Sequence, residues 1–373
     1  MLIPTPVFFG AGEPHRMVDL EVAEPRTGEV RVRMAASGVC HSCLYAMDGE
    51  HAAIPVPIVL GDEGAGVVES VGPGVTSVSE GDHVVVSWAP GCGTCRPCRR
   101  GAPAICRRPS PFGRMRDGTT RLSAAGQEVF HYGPATNAPL TVLEERAVVP
   151  VHPAMPLDLA ALIGCAVATG IGAVRTTAAV RVGDAVAVLG CGGVGASAVH
   201  GAQLAGAHPV IAVDVVPAKF EALRALGATH CVDARSDDVV GQILDLTDGG
   251  VDHAFVTTSA APAFDTALRV LAPRGTAILV AGYPDGARVT FDPGHLLNGE
   301  RRIVASKYGS SNPPVDFPDL VDLHLAGRLK LAEMVARRWR PDQMDEAYDA
   351  LRSGAAGRGL IVFDPPPADE RGR

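Results

Sequence analysis

The chain has 373 residues, of which 47% are hydrophobic, 20% charged and 5% aromatic, with a net charge of −8. This length predicts two domains with substantial cores, and the acidic balance argues against a nucleic-acid partner. No segment has the pattern of a signal peptide or is apolar for long enough to span a membrane. The nine cysteines, arranged as metal ligands, favour a reducing compartment, so we expect a cytoplasmic protein.

The N-terminal part of the chain is predicted to consist mainly of short β-strands. Val30–Met34 alternates apolar and polar residues with a period of two, as a half-buried strand does. Gly66–Gly72 and His83–Trp88 are further apolar runs between glycine and proline turn signals. We therefore expect a β-rich first domain.

Four cysteines lie within fifteen positions in the pattern C-x2-C-x2-C-x7-C. Their neighbours are glycine, proline and arginine rather than apolar residues, which argues against a set of unrelated buried cysteines. Four thiolates at this spacing close a tetrahedral shell around zinc, and a closed shell is structural rather than catalytic. The spacing fits neither ferredoxin pattern well. We predict a structural zinc lobe at about residues 91–106, with the ligands Cys92, Cys95, Cys98 and Cys106.

The sequence pattern changes near residue 165, where apolar runs begin to alternate with helical periodicity. Repeated strand–helix units of this length build a parallel, doubly wound sheet. The predicted strands are Ala185–Leu189, Val210–Val213, His230–Val232, Val251–Val256 and Thr276–Val280, and the predicted helices are Val194–Gly206, Ala218–Leu226, Val239–Leu246 and Ala263–Leu271.

The pattern breaks again after about Ser306. A helix is predicted over Gln343–Arg352 and a strand over Leu360–Phe363, which we expect to rejoin the first domain. The proline-rich and charged tail from Pro365 to Arg373 is predicted to be disordered.

A glycine-rich motif, Gly190-Cys191-Gly192-Gly193-Val194-Gly195, follows the first of these parallel strands. A buried strand before it and a helix after it give G-x-G-x-x-G the context of a dinucleotide-binding fingerprint. Gly190 permits the tight turn, Gly192 lets the pyrophosphate approach the backbone, and Gly195 allows close helix packing. The phosphates are expected at the helix N-terminus, close to Gly193 and Val194.

Asp214 ends the next predicted strand, 24 positions after Gly190. A carboxylate there accepts hydrogen bonds from ribose hydroxyls and repels a 2′-phosphate, which favours NAD over NADP. The alternative is an aspartate that only caps a turn. Lys219, the next charged residue, is a second candidate contact to the ribose.

The zinc lobe, the fingerprint and the segment Gly38-Val39-Cys40-His41-Ser42 together resemble the medium-chain, zinc-containing alcohol dehydrogenases. The segment Arg116–Tyr132 resembles their long-loop type, which includes the glutathione-dependent formaldehyde dehydrogenases. The resemblance implies an α/β fold, in which a GroES-like, β-rich catalytic domain (residues 1–167 and 309–373) is split around a Rossmann NAD-binding domain (residues 168–308). It also implies a homodimer, with a tetramer as the alternative.

The resemblance assigns roles by position. Cys40 and Cys165 correspond to two ligands of a catalytic zinc, and Glu63 to an acidic residue that approaches the metal. The remaining matches are Ser42 as the hydroxyl that takes the alcohol proton, His41 and Arg358 as phosphate contacts, and Trp88 as an aromatic wall of the substrate pocket.

Three positions depart from the family pattern. The middle zinc ligand of the family is a histidine in a Gly-His-Glu triplet, where this chain has Asp62. Cys43 stands where the family usually has an aspartate that supports that histidine. Tyr45 replaces a histidine that often ends the proton relay, and is a candidate catalytic residue.

The formal charge of the zinc shell determines what the replacement of histidine by Asp62 would do to the metal. Zinc with two thiolates and an imidazole is formally neutral, whereas an ionised Asp62 makes the shell −1 and weakens the metal as a Lewis acid. Carboxylate oxygen is nonetheless a regular zinc ligand. Three interpretations stay open: Asp62 replaces the histidine, Cys43 joins the shell as a third sulfur, or the catalytic zinc is absent. A disulfide between Cys40 and Cys43 is disfavoured by geometry and compartment.

We predict an NAD-dependent oxidoreductase that interconverts a small alcohol and its aldehyde or ketone by zinc-assisted hydride transfer. One alternative is a reductase of a conjugated or iminium-type bond that lacks the catalytic zinc, with Tyr45 or Ser42 as the acid. The other is a non-catalytic dinucleotide-binding protein. The first hypothesis requires two zinc ions per chain and the second requires one.

Overall fold

The computed structural model describes residues 2–49, 54–283, 286–355 and 357–363. The tail from Pro365 that we predicted to be disordered lies outside the described residues. Short strands dominate up to about residue 150, and the repeated alternation of strand and helix begins with the strand at Val186. The predicted change of pattern is therefore confirmed.

The elements of the first part are separated by turns and loops. Its strands are β1 Leu2–Val7, β2 Arg16–Val22, β3 Glu29–Gly38, β4 Ile58–Val59, β5 Gly64–Val71, β6 His83–Val86, β7 Leu122–Ala124, β8 Gln127–His131, β9 Leu140–Glu144 and β10 Val148–Pro150, and its helices are α1 His41–Met47 and α2 Arg96–Arg99.

The elements of the second part alternate more regularly, and the last of them return to the first domain. The strands are β11 Val186–Leu189, β12 Val210–Asp214, β13 His230–Asp233, β14 Val251–Val256, β15 Leu271–Leu279, β16 Arg302–Ala305, β17 Val335–Trp339 and β18 Arg358–Val362. The helices are α3 Leu157–Ala160, α4 Ala166–Gly172, α5 Gly193–Leu204, α6 Phe220–Ala225, α7 Val239–Asp245, α8 Ala261–Arg269, α9 Pro293–Asn298, α10 Pro313–Leu325 and α11 Met344–Arg352.

The first domain is built on two sheets. One has the strand order β10-β6-β5-β3-β18-β17 with β9 also paired to β3, and the other has the order β1-β2-β7-β8-β4. β18 pairs antiparallel with β3, with Leu360 opposite Gly38, so the predicted return of the C-terminal strand is confirmed. This pairing brings Arg358, at the start of β18, close to the segment that leads into Cys40.

The second domain has a six-stranded sheet in the order β13-β12-β11-β14-β15-β16, and each neighbouring pair is parallel. This order is that of a doubly wound dinucleotide-binding fold, which places its ligand crevice at the carboxyl ends of β11 and its neighbours. β11 and β12 are buried at every position, which explains why the sequence shows continuous apolar runs there rather than alternation.

One buried apolar cluster joins the two domains. It includes Ala36 of β3, Val167 of α4 and Val188 of β11. α4 therefore belongs to a core shared by both domains, where it packs against α5, and in chain order it lies between the strands of the two domains. The exact domain limits that we predicted, near residues 167 and 308, stay a prediction.

Several elements were not predicted from the sequence, and β16 and α10 show why. β16 lies at the edge of its sheet and is only partly buried, so Ile303 and Val304 stand between charged and small residues and do not form an apolar run. α10 begins with two prolines, which are tolerated in a first helical turn, and it contains Pro318, so its helical periodicity is hidden.

Among the residues that the structure describes, no single helix has the length and hydropathy to cross a membrane; the bent pair Leu157–Gly164 and Ala166–Ala178 meets these criteria only when taken together, with an angle of 54° between its halves.

Candidate active site

A cleft of about 1440 Å³ is lined by residues of both domains. The first domain contributes Cys40, Asp62 and Cys165, and the second contributes Gly190 and Asp214. The residues predicted to bind a dinucleotide and those predicted to hold a catalytic metal therefore face one common space. Its size is sufficient for a dinucleotide together with a small substrate.

The glycine-rich turn connects β11 to α5. Gly190 has a φ of +89°, which glycine adopts without strain, and a Cβ at Gly195 would collide with the carbonyl oxygen of Gly190. At Gly192, by contrast, no atom lies within 4 Å of the position that a Cβ would take. Gly193 and Val194 line the same cleft. The turn thus leaves open space beside the N-terminus of α5, which fits a pyrophosphate.

Asp214 ends β12 and is 4% exposed. Its carboxylate accepts hydrogen bonds from the backbone N–H groups of Cys191 at 2.6 Å and Val216 at 2.9 Å, and the ammonium of Lys219 lies 3.1 Å away. These contacts hold the carboxylate beside the glycine-rich turn. The position fits recognition of ribose hydroxyls, with Lys219 as part of the same charge pair.

Cys40, Asp62 and Cys165 form a buried group whose ligand atoms all lie within 4.8 Å of one another. The two sulfur atoms are 4.0 Å apart, close to the roughly 3.8 Å expected for two thiolates on a tetrahedral zinc. Asp62 Oδ2 lies 3.9 Å from Cys165 Sγ. Asp62 Oδ1 is buried and has no hydrogen-bond partner among the described residues. The donor set therefore fits zinc, with one carboxylate oxygen unpaired.

Burial and mutual hydrogen bonding shift the pKa values of this group. The hydrogen bond with Cys165 lowers the pKa of Cys40 to about 5, whereas burial raises the pKa of Asp62 to about 8. The pKa of Cys165 lies above its usual value because of the same hydrogen bond and because of burial. A bound divalent cation would favour the deprotonated form of all three groups.

Cys43 lies outside this group of metal-ligand atoms. It is fully buried, and its thiol interacts with the side chain of Tyr348 and the backbone of Gly61. This arrangement disfavours the interpretation in which Cys43 is a third sulfur ligand.

Glu63 faces Arg358 instead of the three metal-ligand candidates. Its carboxylate accepts hydrogen bonds from Arg358 Nη2 at 2.7 Å and Nε at 3.2 Å, and from the backbone N–H of Ala166 at 2.9 Å. A Cβ at Gly193 would contact the Arg358 side chain, so the guanidinium lies beside the N-terminus of α5. The pair thus connects the metal-ligand segment to the phosphate side of the cleft.

The predicted structural zinc lobe lies in the loop around α2. Its four sulfur atoms lie within 4.8 Å of one another. The backbone N–H groups of Cys92 and Arg108 each donate to Cys106 Sγ at 3.3 Å, and hydrogen bonds led by that with Thr94 lower the pKa of Cys92 to about 5. Convergent sulfurs with N–H donors fit a closed thiolate shell around zinc.

The candidate proton-transfer residues all belong to α1. Ser42 Oγ donates a short hydrogen bond to Asp62 Oδ2, and Tyr45 OH lies 3.3 Å from Ser259 Oγ of the second domain. The rings of His41 and Tyr45 are 5.9 Å apart. All three α1 side chains line the cleft.

The sequence analysis identified Trp88 but missed the residues that pack on it. The Tyr308 ring lies 4.6 Å from that of Trp88, and its hydroxyl bonds the carbonyl of Gly164, next to Cys165. Tyr308 and Lys307 follow β16, at the carboxyl edge of the parallel sheet where ligands bind. Recognising β16 in the sequence would have identified them.

The fold is that of a two-domain, dinucleotide-binding protein, and two cysteine-containing groups, one of Cys40, Asp62 and Cys165 and the other of Cys92, Cys95, Cys98 and Cys106, each have the geometry to hold a metal ion. The sequence matches two domain families, the alcohol dehydrogenase GroES-like domain over residues 26–153 and the zinc-binding dehydrogenase domain over residues 193–326. The first match lies within the catalytic domain expected from the sequence, whereas the second begins inside the expected Rossmann domain and extends 18 residues past its predicted limit at residue 308.

Individual relatives agree with these matches. An S-(hydroxymethyl)glutathione dehydrogenase from Synechocystis is 36% identical, over 96% of this chain and 98% of its own length. An NDMA-dependent alcohol dehydrogenase from Amycolatopsis methanolica is 38% identical, over 95% and 97%. The crystal structure of benzyl alcohol dehydrogenase from Acinetobacter calcoaceticus is 30% identical, with a TM-score of 0.93 over 98% and 100% of the two chains.

The chain belongs to the zinc-containing medium-chain alcohol dehydrogenase family. It is an oxidoreductase that interconverts an alcohol and its carbonyl compound. The family and the fold predicted from the sequence are thereby confirmed, and the first of the three functional hypotheses is the one supported.

Proposed function

We propose that the protein is an NAD-dependent dehydrogenase of small alcohols in which Cys40, Asp62 and Cys165 hold a catalytic zinc. The observation that carries the proposal is the convergence of two thiols and a carboxylate in a buried group. An unpaired buried carboxylate oxygen is costly unless it meets a hydrogen-bond donor or a cation, and Asp62 Oδ1 has no such donor among the described residues. Its position beside two thiolates favours a metal ion as the missing partner.

When bound, zinc polarises the substrate oxygen and the nicotinamide accepts the hydride. Ser42 Oγ orients the alcohol. Because the Ser42 hydroxyl donates its hydrogen bond to Asp62 Oδ2, the lone pairs of Ser42 Oγ accept a hydrogen bond from the substrate hydroxyl. Ser42 thereby holds the departing proton next to Asp62. Tyr45, one helical turn further along α1, offers the next hydroxyl and contacts Ser259 across the cleft.

The proposed cofactor contacts follow the glycine-rich turn. The backbone of residues 190–195 and the side chains of His41 and Arg358 bind the phosphates, and Asp214 with Lys219 binds the ribose. A carboxylate fixed by two backbone N–H groups disfavours a 2′-phosphate, which supports NAD rather than NADP. Cys92, Cys95, Cys98 and Cys106 are proposed to hold a second, structural zinc.

We also propose a cytoplasmic location and a homodimer, with a tetramer as the alternative. Both rest on the family resemblance and on cysteines suited to metal ligands rather than disulfides. Light scattering tests the assembly: a dimer has twice the 38.5 kDa mass of the chain.

The test of the catalytic site is zinc per chain, measured by elemental analysis on the wild type and on Asp62→Ala. We expect two zinc ions in the wild type and one in Asp62→Ala, with loss of alcohol oxidation. Asp62→His restores the ligand of the family and is expected to keep two. Asp342→Ala, which removes an exposed carboxylate paired with Arg340, is the control. One zinc in both wild type and Asp62→Ala would contradict the proposal and favour a zinc-poor reductase.

A further inference from the structure

Lys307 lies in the cleft immediately after the last strand of the parallel sheet. It follows β16 by two residues, is exposed, and lines the same cleft as Cys40 and Cys165. β16 lies on the opposite side of β11 from β12, which carries Asp214. Lys307 is therefore on the half of the crevice away from the proposed ribose contact.

Lys307 differs from the other cationic side chains that line the cleft. Each of those arginine and lysine side chains is paired with a carboxylate, and these pairs are Arg114–Glu128, Arg116–Glu144, Lys219–Asp214 and Arg358–Glu63. For the Lys307 ammonium, the described part of the chain offers no hydrogen-bond or ion-pair partner. Its Nζ lies 5.9 Å from the centroid of the Trp88 ring.

An aromatic wall connects Lys307 to the proposed metal site. The Trp88 ring packs on Tyr308, and the Tyr308 hydroxyl bonds the carbonyl of Gly164, the residue before Cys165. A cation near an aromatic face is attracted to the ring electrons, and this contact orients the ammonium without using its N–H donors. The three donors of Lys307 thus remain available at the wall that a substrate would contact.

We propose that Lys307 is a specificity-determining residue that binds an anionic oxygen group, a carboxylate or a phosphate ester, at the end of the substrate remote from its hydroxyl. The proposal rests on the proposed alcohol dehydrogenase function and names its substrate class. A charge-assisted hydrogen bond from an ammonium to an anion is about twice as strong as a neutral one. Since the proposed metal shell carries a net negative charge, an anionic substrate needs such a cation within the cleft.

The test compares benzyl alcohols that differ in the group opposite the hydroxymethyl group, with the benzoate and the benzamide as a closely matched charged and neutral pair. We would measure kcat/KM for 4-(hydroxymethyl)benzoate, its neutral amide 4-(hydroxymethyl)benzamide and 4-(hydroxymethyl)phenyl phosphate, on the wild type, Lys307→Met, Lys307→Arg and Lys307→Glu. The wild type is expected to prefer at least one anion over the amide. Lys307→Met is expected to lose about 10–100-fold on that anion and to stay within about twofold on the amide. Lys307→Arg should retain the preference and Lys307→Glu should invert it.

Lys330→Met is the control, because the Lys330 ammonium bonds the carbonyl of Ala225 and Lys330 is not among the residues lining the cleft. Binding of the unreactive 4-methylbenzoate to the enzyme–NADH complex, by calorimetry, reports on Lys307 without turnover. If no alcohol is turned over but 4-methylbenzoate still binds and Lys307→Met weakens that binding, only the proposed function would be contradicted. Equal losses on anion and amide, or weaker NADH binding in Lys307→Met, would overturn the anion assignment. The better of the two anions identifies the group.

Discussion

At the scale of single residues, the proposal that Asp62 is a zinc ligand relates two departures from the family pattern to the hydrogen bond between Ser42 and Asp62. A histidine ligand needs an acceptor behind it to fix its ring, and the family places an aspartate there. A carboxylate ligand needs a donor instead, and Ser42 Oγ supplies it. The supporting aspartate of the family is then no longer needed, and Cys43 occupies its position. The small Cys43 thiol packs beside Tyr348 in the apolar core. In the proposed site, the changes at Asp62 and Cys43 are therefore expected to depend on one another.

Glu63 and Arg358 lead to the first prediction at this scale. Their side chains are 0% and 6% exposed, so Glu63→Gln leaves a buried guanidinium without its counter-charge. We expect the free energy of unfolding in urea to fall by about 3–5 kcal/mol. Glu128→Gln is the matched control, because Glu128 is 54% exposed in its pair with Arg114, and exposed pairs contribute about 1 kcal/mol or less. Equal losses in the two variants would contradict this account of the buried pair.

At the scale of elements, the connection from β11 to α5 serves two needs with different glycines. Gly195 allows the helix to pack against the turn, since a Cβ there would meet the carbonyl oxygen of Gly190. Gly192 contacts nothing within 4 Å, so its lack of a side chain serves the ligand and not the fold. The structure thus agrees with the different roles that the fingerprint pattern assigns to the two glycines.

This difference predicts opposite phenotypes for two alanine substitutions. Gly192→Ala is expected to leave the free energy of unfolding within about 1 kcal/mol and to raise the Kd of NADH at least tenfold, because the methyl group occupies the space proposed for the pyrophosphate. Gly195→Ala is expected to lower the stability by about 1–3 kcal/mol. Urea unfolding without cofactor and fluorescence titration with NADH measure the two effects. A stability loss in Gly192→Ala as large as in Gly195→Ala would refute the distinction.

At the scale of the whole molecule, a buried histidine in the first domain makes the stability of the fold depend on pH. His131 ends β8 and is 2% exposed; its Nε2 accepts a hydrogen bond from the backbone N–H of Arg121. Burial, with a smaller contribution from the Arg121 charge, lowers the pKa of His131 from 6.5 to about 4. The folded chain thus keeps this imidazole neutral at a pH where the unfolded chain protonates it.

The sign of the effect follows from linkage. Below pH 6.5 the unfolded state binds a proton that the folded state does not bind until about pH 4, so stability falls as the pH falls through this window. Between pH 7 and pH 5 the loss due to His131 is about 2 kcal/mol. His131→Gln is expected to remove this part of the pH dependence, measured by urea unfolding at both pH values. The same substitution at exposed His152 should leave it in place, and an unchanged slope in His131→Gln would contradict the assignment.

Local patterns predicted most of the parallel sheet of the second domain in advance. The apolar runs of β11, β12 and β14 are found within one residue of their expected bounds, because strands buried on both faces need continuous apolar residues. The spacing of four cysteines likewise suffices to predict that their sulfurs converge, since the loop is short. β16 was not predicted because exposure at the sheet edge removes its apolar run, and α10 was not predicted because its prolines hide the helical periodicity.

The sequence by itself determined the parallel dinucleotide-binding sheet, the four-cysteine lobe and the family, since each depends on residues close together in the chain. Only the tertiary structure decided what Asp62, Cys43, Glu63 and Lys307 contact. Cys40, Asp62 and Cys165 come from three separate connections, and their distances depend on how β4, α1 and α4 pack. The pairing of Glu63 with Arg358, 295 positions apart, likewise depends on β18 joining β3. No local pattern encodes such contacts, because they arise from the packing of the whole core.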